Sequence, residues 1–244
     1  MISEKLVQDR LDFWGYGSFN APVWFVGMEE GLPALDAEQL EARFRVTQGR
    51  PLVDIRQEMA PVLGHMKWFK EPYPIQATWK YLIALHLCLK DGQRPSRADI
   101  ALFQGMRFAD TAIAATAAIE LMPLPSSKAH QSTWLYGSYP GLGLASRSEY
   151  LAKYKPSRVR QLRELIGRFL PRLVIFHSVS YVEDWEAVCG ISKIAVTRQM
   201  YFMQNDYTAF CIIPQASSFG MSYRRLYEYA DLIRERISDR PTVC

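Results

Sequence analysis

The residues best suited to chemistry in this chain fall just after short apolar runs. Gly27-Met28-Glu29-Glu30-Gly31 follows Val23–Val26 (VWFV), and Glu120 to His130 (ELMPLPSSKAH) begins as Thr116–Met122 (TAAIELM) ends. His177-Ser178 follows Leu173–Phe176 (LVIF), and Pro214 to Gly220 (PQASSFG) follows Tyr207–Ile213 (YTAFCII). These places offer three carboxylates (Glu29, Glu30, Glu120), an imidazole (His177), an amide (Gln215), and hydroxyls and a glycine at a helix start (Ser217, Ser218, Gly220). A carboxylate can stabilise a developing cation or orient and deprotonate water. An amide N–H donates to a carbonyl without titrating, and the free backbone N–H groups of a helix start meet a phosphate.

Elements of a particular kind must position these residues. The apolar runs alternate with amphipathic stretches, as crossover units around a mostly parallel sheet require. Helices are predicted at about 37–46, 76–89, 96–109, 157–169, 181–188 and 222–237. In the last, Leu226, Tyr229, Ala230 and Ile233 recur at helical spacing, while Arg224, Arg225, Glu228 and Arg234 fall elsewhere. Lys193–Val196 with Met200–Met203 is expected as an extra edge segment, and Gly49–Tyr73 shows no clear period. The expected fold class is α/β, a three-layer α/β/α domain over residues 1–244 with a central, mostly parallel four-stranded sheet. In such a sheet ligands bind outside the carboxyl ends of the strands, where the residues above lie.

Composition narrows the function classes. Hydrophobic residues make up 49% and charged residues 22%, a globular balance that excludes a disordered or fibrous chain. The net charge of +4 permits a polyanionic partner without requiring one. Cys88, Cys189, Cys211 and Cys244 form no close pair, which argues against a clustered zinc or iron–sulfur site and for reduced thiols in the cytoplasm. His65, His86, His130 and His177 have no metal-ligand spacing; His86, inside IALHLCL, reads as a core residue. No signal peptide and no membrane-spanning run is visible. Neither the glycine fingerprint of dinucleotide-binding folds nor the P-loop motif occurs.

The order and spacing of the strand-end loops resemble the uracil-DNA glycosylase superfamily, whose first motif is G-x-(D/N/A)-P-(Y/G/A) after the first strand and whose last is H-P-S before the final helix. Gly27 and Gly31 match the frame, Met28 the variable position, and Glu29 stands where the water-handling Asp or Asn would be. Ser217 matches the last motif's serine, with Gln215 and Ala216 in place of His and Pro. Glu120 sits near the base-reading Asn. The resemblance implies a cytoplasmic, monomeric DNA glycosylase without cofactor or metal, acting on DNA that contains uracil or another deaminated base. It implies Glu29 and Gln215 as catalytic groups, Glu120, Met28, Phe69 and His177 around the base, and Ser217, Ser218, Gly220 and Arg224 at DNA phosphates.

Each residue also has a plainer reading. Glu29 and Glu30 suit a solvated turn, Glu120 an ion pair at the sheet end, and Ser217 an N-cap. Lys155, Arg158, Arg160 and Arg163 form a basic run whose default is a solvated helix face and whose alternative tracks phosphates. Two other functions remain open at this stage: a non-catalytic member that only binds uracil-containing or single-stranded DNA, and an unrelated α/β nucleotide-binding protein.

Overall fold

Strands form where apolar residues can be buried on two faces, and helices form where one stripe can. The computed structural model describes residues 2–31, 37–62, 64–126, 134–216 and 221–238. The first half contains α1 (Glu4–Arg10), β1 (Gly15–Tyr16), β2 (Val23–Gly31), α2 (Ala37–Thr47), β3 (Leu52–Val53), α3 (Ile55–Met59), α4 (Trp79–Asp91) and α5 (Arg97–Met106). The second contains β4 (Thr116–Ser126), α6 (Arg147–Phe169), β5 (Leu173–His177), α7 (Val182–Cys189), β6 (Ile194–Thr197), β7 (Met200–Gln204), β8 (Ala209–Ile213) and α8 (Tyr223–Ser238).

Among the described residues the sheet has eight strands rather than the expected four, in the order β3-β1-β4-β2-β5-β8-β7-β6. The expected four are its parallel centre, β4-β2-β5-β8. The additions lie at the edges. β1 runs antiparallel to β4 and carries β3, and the β6–β7 hairpin, foreseen as an edge segment, runs antiparallel onto β8. β1 and β3 are two residues each, too short for an alternating pattern to be read.

β2, β5 and β8 alternate between two cores, which makes three layers. Trp24, Val26, Val174, Phe176, Phe210 and Ile212 face the core shared with α1, α2, α6 and α7. Phe25, Leu173, Ile175, Ala209, Cys211 and Ile213 face the core shared with α3, α4, α5 and α8. Both faces are covered, so these strands read as continuous apolar runs rather than as polar/apolar alternation. Cys88, Cys189 and Cys211 are free thiols inside these cores. None of the described helices is long and apolar enough to cross a membrane.

One helix boundary departs widely from expectation. The helix expected from residue 157 begins ten residues earlier, as α6, and runs through Pro156. Proline removes one backbone donor and crowds the preceding turn, and Ser146 supplies the real start, its side chain accepting from Glu149 N. The buried tyrosine Tyr150, whose hydroxyl accepts from Leu124 N, anchors the early turns on β4.

His86 lies in α4 with its ring against Phe103, and burial is the main reason its pKa falls to about 4, with Lys90 adding to it. The unfolded chain takes up this proton near pH 6.5 and the folded chain only near 4. Across that window the unfolded state binds more protons, so stability declines as the pH drops from about 6.5 to about 4, by on the order of 3 kcal/mol in full. His86→Leu is expected to flatten this part of the profile, measured as urea midpoints at pH values inside and above the window. A variant profile parallel to the wild type would assign the acid sensitivity to other groups.

Candidate active site

The chain leaves β2 for β4 on one side and later returns to β5 on the other, so the topological switch lies at the carboxyl end of β2. Register brings three of the expected residues together there. Gly27 is opposite Glu120 on β4, and Val26 is opposite Phe176 on β5, which places His177 one step further out. A Cβ on Gly27 would collide with the Glu120 carboxylate and lie 2.9 Å from His177 Cε1. Glycine is therefore required by this close approach: it leaves the space into which a carboxylate and an imidazole converge from neighbouring strands.

β2 continues past this point, and its two glutamates go to different partners. The Glu29 side chain is 1% exposed. Its Oε1 accepts from Arg147 Nη2 at the start of α6, and Arg147 Nε reaches Ser126 Oγ at 3.4 Å. Glu29 Oε2 is buried and has no donor among the described residues. A buried carboxylate oxygen without a donor costs free energy, and it is the position where a water or a substrate hydrogen would be held.

Glu30 belongs to a buried charge network rather than to a solvated turn. Arg43 Nη2 donates to Glu30 Oε1 (2.6 Å) and Oε2 (2.7 Å), to Glu58 Oε2 (2.8 Å) and to the Tyr16 hydroxyl (3.0 Å). Arg10 Nη1 donates to Glu58 Oε1 (2.7 Å) and Thr47 Oγ1 (3.0 Å), and its guanidinium lies 3.7 Å from the centre of the Phe13 ring. The Tyr16 hydroxyl also contacts Glu58 Oε2 and, at 2.9 Å, Glu30 Oε2. Burial pushes the Glu58 carboxyl up, but Arg43 and Arg10 together with hydrogen bonds from Arg43 and Tyr16 more than offset it, so the group stays below the ordinary carboxylate range. Burial and the two neighbouring carboxylates push the Tyr16 phenol far upward.

Arg10, Tyr16, Arg43, Glu58 and Arg147 lie outside the strand-end loops, yet the sequence carries a signal for some of them. In α2 the buried positions are Leu40, Arg43, Phe44 and Thr47, so a charge occupies the apolar stripe. Leu6, Val7 and Arg10 in α1 and Ile55, Glu58 and Met59 in α3 repeat that feature. An ionised residue at an inward helical position implies a buried partner of opposite sign.

The same feature corrects the reading of the basic run in α6. Arg158, 3% exposed, shares the inward face with Tyr150, Leu162 and Ile166. Its guanidinium donates to the carbonyls of Leu121 (2.7 Å), Phe13 (2.9 Å) and Glu120 (3.1 Å) and lies 3.2 Å from the centre of a Trp14 ring. Burial lowers its pKa to about 9. Lys155 pairs with Asp184 and Arg163 with backbone carbonyls, so the four basic residues do not form one phosphate-tracking face.

The other expected site residues are dispersed. Met28 is a core side chain, in the same buried cluster as Val26 and Trp24. Phe69, at the end of a 3-10 turn (His65–Phe69), packs against Trp79 at 5.8 Å under the Arg56 guanidinium. Gln215 is half-buried just beyond β8. Arg224 is exposed on α8 and pairs with Glu228 at 3.1 Å. Ser217, Ser218 and Gly220 lie outside the described residues. The chain matches no protein-family model and no curated protein.

Two outcomes follow from this geometry. Gly27→Ala is expected to displace the Glu120 carboxylate and the His177 ring, read as shifted His177 imidazole resonances by NMR; an unchanged spectrum would mean that the two groups do not converge. Glu58→Gln leaves two buried guanidiniums short of an anion and is expected to lower unfolding stability by about 3–5 kcal/mol. Arg224→Ala, at the exposed pair, should stay within about 0.5 kcal/mol; comparable losses in both variants would contradict the assignment of the network.

Proposed function

We propose that the chain is a DNA glycosylase that hydrolyses the N-glycosidic bond of uracil or a related deaminated base, working in the cytoplasm as a monomer without cofactor or metal. The observation that carries this reading is Glu29: a buried carboxylate with one undonated oxygen, two residues beyond the point where Gly27, Glu120 and His177 converge.

Breaking the bond between C1′ and the base nitrogen sends the electron pair to the base and leaves positive charge on the sugar. A carboxylate near the sugar and neutral donors near the base therefore favour the transition state. Glu29 takes the first role: Oε2 faces the cationic sugar and the water that attacks C1′, whose proton it accepts. Gln215 takes the second, donating its amide N–H to a base carbonyl. Glu120 and His177, brought together across Gly27, face the base edge; a carboxylate there accepts from an exocyclic amino group or, when protonated, donates to a carbonyl. Ser217, Ser218, Gly220 and Arg224 serve the phosphates. The base reaches such a site only by leaving the helical stack.

The Arg147–Glu29 ion pair favours a second reading, a binder that holds uracil-containing or single-stranded DNA without cutting it, since an engaged carboxylate is a weaker base. A panel of oligonucleotides carrying single lesions (uracil, hypoxanthine, xanthine, or thymine in a mismatch), incubated with the protein and then treated with alkali, separates the two. Strand breaks identify the glycosylase; binding without breaks identifies the binder.

In the same assay Glu29→Gln is expected to slow excision by on the order of a hundredfold with folding and DNA binding preserved. Glu30→Gln should instead act on the buried network, lowering the melting temperature more than the rate of the folded enzyme. Unchanged excision by Glu29→Gln would remove the carboxylate mechanism.

A further inference from the structure

A cleft of about 410 Å3 opens where the first turns of α4, α5 and α8 meet. It lies at the same end of the molecule as the candidate active site. α8 follows β8 and so starts at the carboxyl end of the sheet, and α4 runs alongside α8 in the same direction, since Gly92 just beyond its end lies against Arg234 near the end of α8.

The lining is selective in kind. Tyr223 and Tyr227 line one wall, their rings near-parallel at 6.1 Å and 19°. Tyr223 also packs on Tyr81 at 5.3 Å, and Tyr227 is largely buried with the Arg94 guanidinium 5.5 Å from its ring centre, so Tyr223 is the main stacking surface. Lys80 and Arg97 supply two positive charges, and Pro95 and Ile100 complete an apolar floor. No carboxylate lines the cleft, and among the described residues neither Lys80 nor Arg97 has an ion-pair partner. The hydroxyls of Tyr223 and Tyr227 likewise make no hydrogen bond among the described residues, whereas that of the adjacent Tyr81 is taken by Met221 O at 3.4 Å. Two cations without a carboxylate partner, Lys80 with its Nζ 4.6 Å from the centre of the Tyr81 ring, beside an aromatic wall with spare hydroxyls are the complement of a planar, hydrogen-bonding ring joined to an anion.

We propose that this cleft is a nucleotide subsite: a base stacks on Tyr223 and Tyr227, and its phosphate meets Lys80 and Arg97. The volume lies within the range of small-ligand sites, roughly 300–1,000 Å3. An inorganic anion would leave the tyrosine wall unused, and an acyl chain would leave the two hydroxyls unused. The same chemistry is presented by a free nucleoside monophosphate and by one unit of a DNA strand. The strand is the expected source, and that part of the inference rests on the proposed glycosylase reading.

The test uses the full chain and three probes: thymidine monophosphate, inorganic phosphate, and a lesion-free thymidine oligonucleotide of about eight residues, within the span usual for single-strand sites. Binding is followed by calorimetry. The oligonucleotide is expected to bind more tightly than the monophosphate and far more tightly than phosphate. Tyr223→Ala should weaken nucleotide binding about tenfold or more through lost stacking, and Tyr223→Phe should retain most of it. Arg97→Ala, at an exposed position, should weaken binding and reduce its dependence on salt. Equal affinity for monophosphate and oligonucleotide, still dependent on Tyr223, supports the subsite with a free nucleotide as its source. Binding unaffected by Tyr223→Ala and Arg97→Ala overturns the proposal, as does binding of phosphate as tight as that of the monophosphate. The excision assay reads separately: Tyr223-dependent binding without excision supports the subsite and removes the glycosylase reading, whereas excision with binding indifferent to both variants does the reverse.

Discussion

The cluster of Arg10, Tyr16, Glu30, Arg43 and Glu58 draws one residue from each of α1, β1, β2, α2 and α3, and it is the constraint on which the rest of this end of the molecule depends. Removing two guanidiniums and two carboxylates from water costs several kcal/mol per ion, and the cost is offset only when charges balance and the geometry supplies hydrogen bonds. Both conditions are met: two positive groups face two negative ones, and Tyr16 and Thr47 take up further bonds. α1 has seven residues and α3 five, lengths at which an isolated helix does not persist in water. Their place against β2 is therefore a tertiary property, held by packing and by this network.

The consequence reaches the candidate site through the backbone of β2. With Glu30 held by Arg43, the preceding residue is held as well, and Glu29 is directed to Arg147 and the start of α6. Glu29 is thus a preorganised group, which matters for any role in stabilising charge, because a carboxylate that must reorient during a reaction loses part of its effect.

Arg158 performs a related task on β4. The ladder between β1 and β4 ends where Glu120 N donates to Trp14 O. Next to this end, Arg158 donates to the carbonyls of Glu120, Leu121 and Phe13 while its plane rests on Trp14. One side chain from α6 supplies donors that β1 is too short to supply, and it fixes the backbone of the residue whose carboxylate lies over Gly27. A guanidinium can do this without a carboxylate partner because it presents five donors in one plane and stacks on an aromatic face.

The centre of the fold was legible in the residues alone. Four apolar runs covered on both faces can only be the inner strands of a layered sheet, and five of the six foreseen helices lie within a few residues of their expected ends, because burial periodicity is a local property of the chain. The sequence also singled out Glu29, Glu120 and His177, but only His177 ends its strand: β2 runs on to Gly31 and β4 to Ser126, so Gly27 and Glu120 lie within strands rather than after them. Which of these groups meet was set by the packing of the strands. Strand order, absent from local pattern, brought Glu120 and His177 together across Gly27. The partners of Glu29 and Glu30 come from positions 13 to 118 residues away, and a charge network of that span has no periodicity to read. Burial of a charged side chain is a sum over every element around it, so Arg10, Arg43, Glu58 and Arg158 were visible in sequence only as charges on otherwise apolar helix faces, and their roles were set when the layers closed over them.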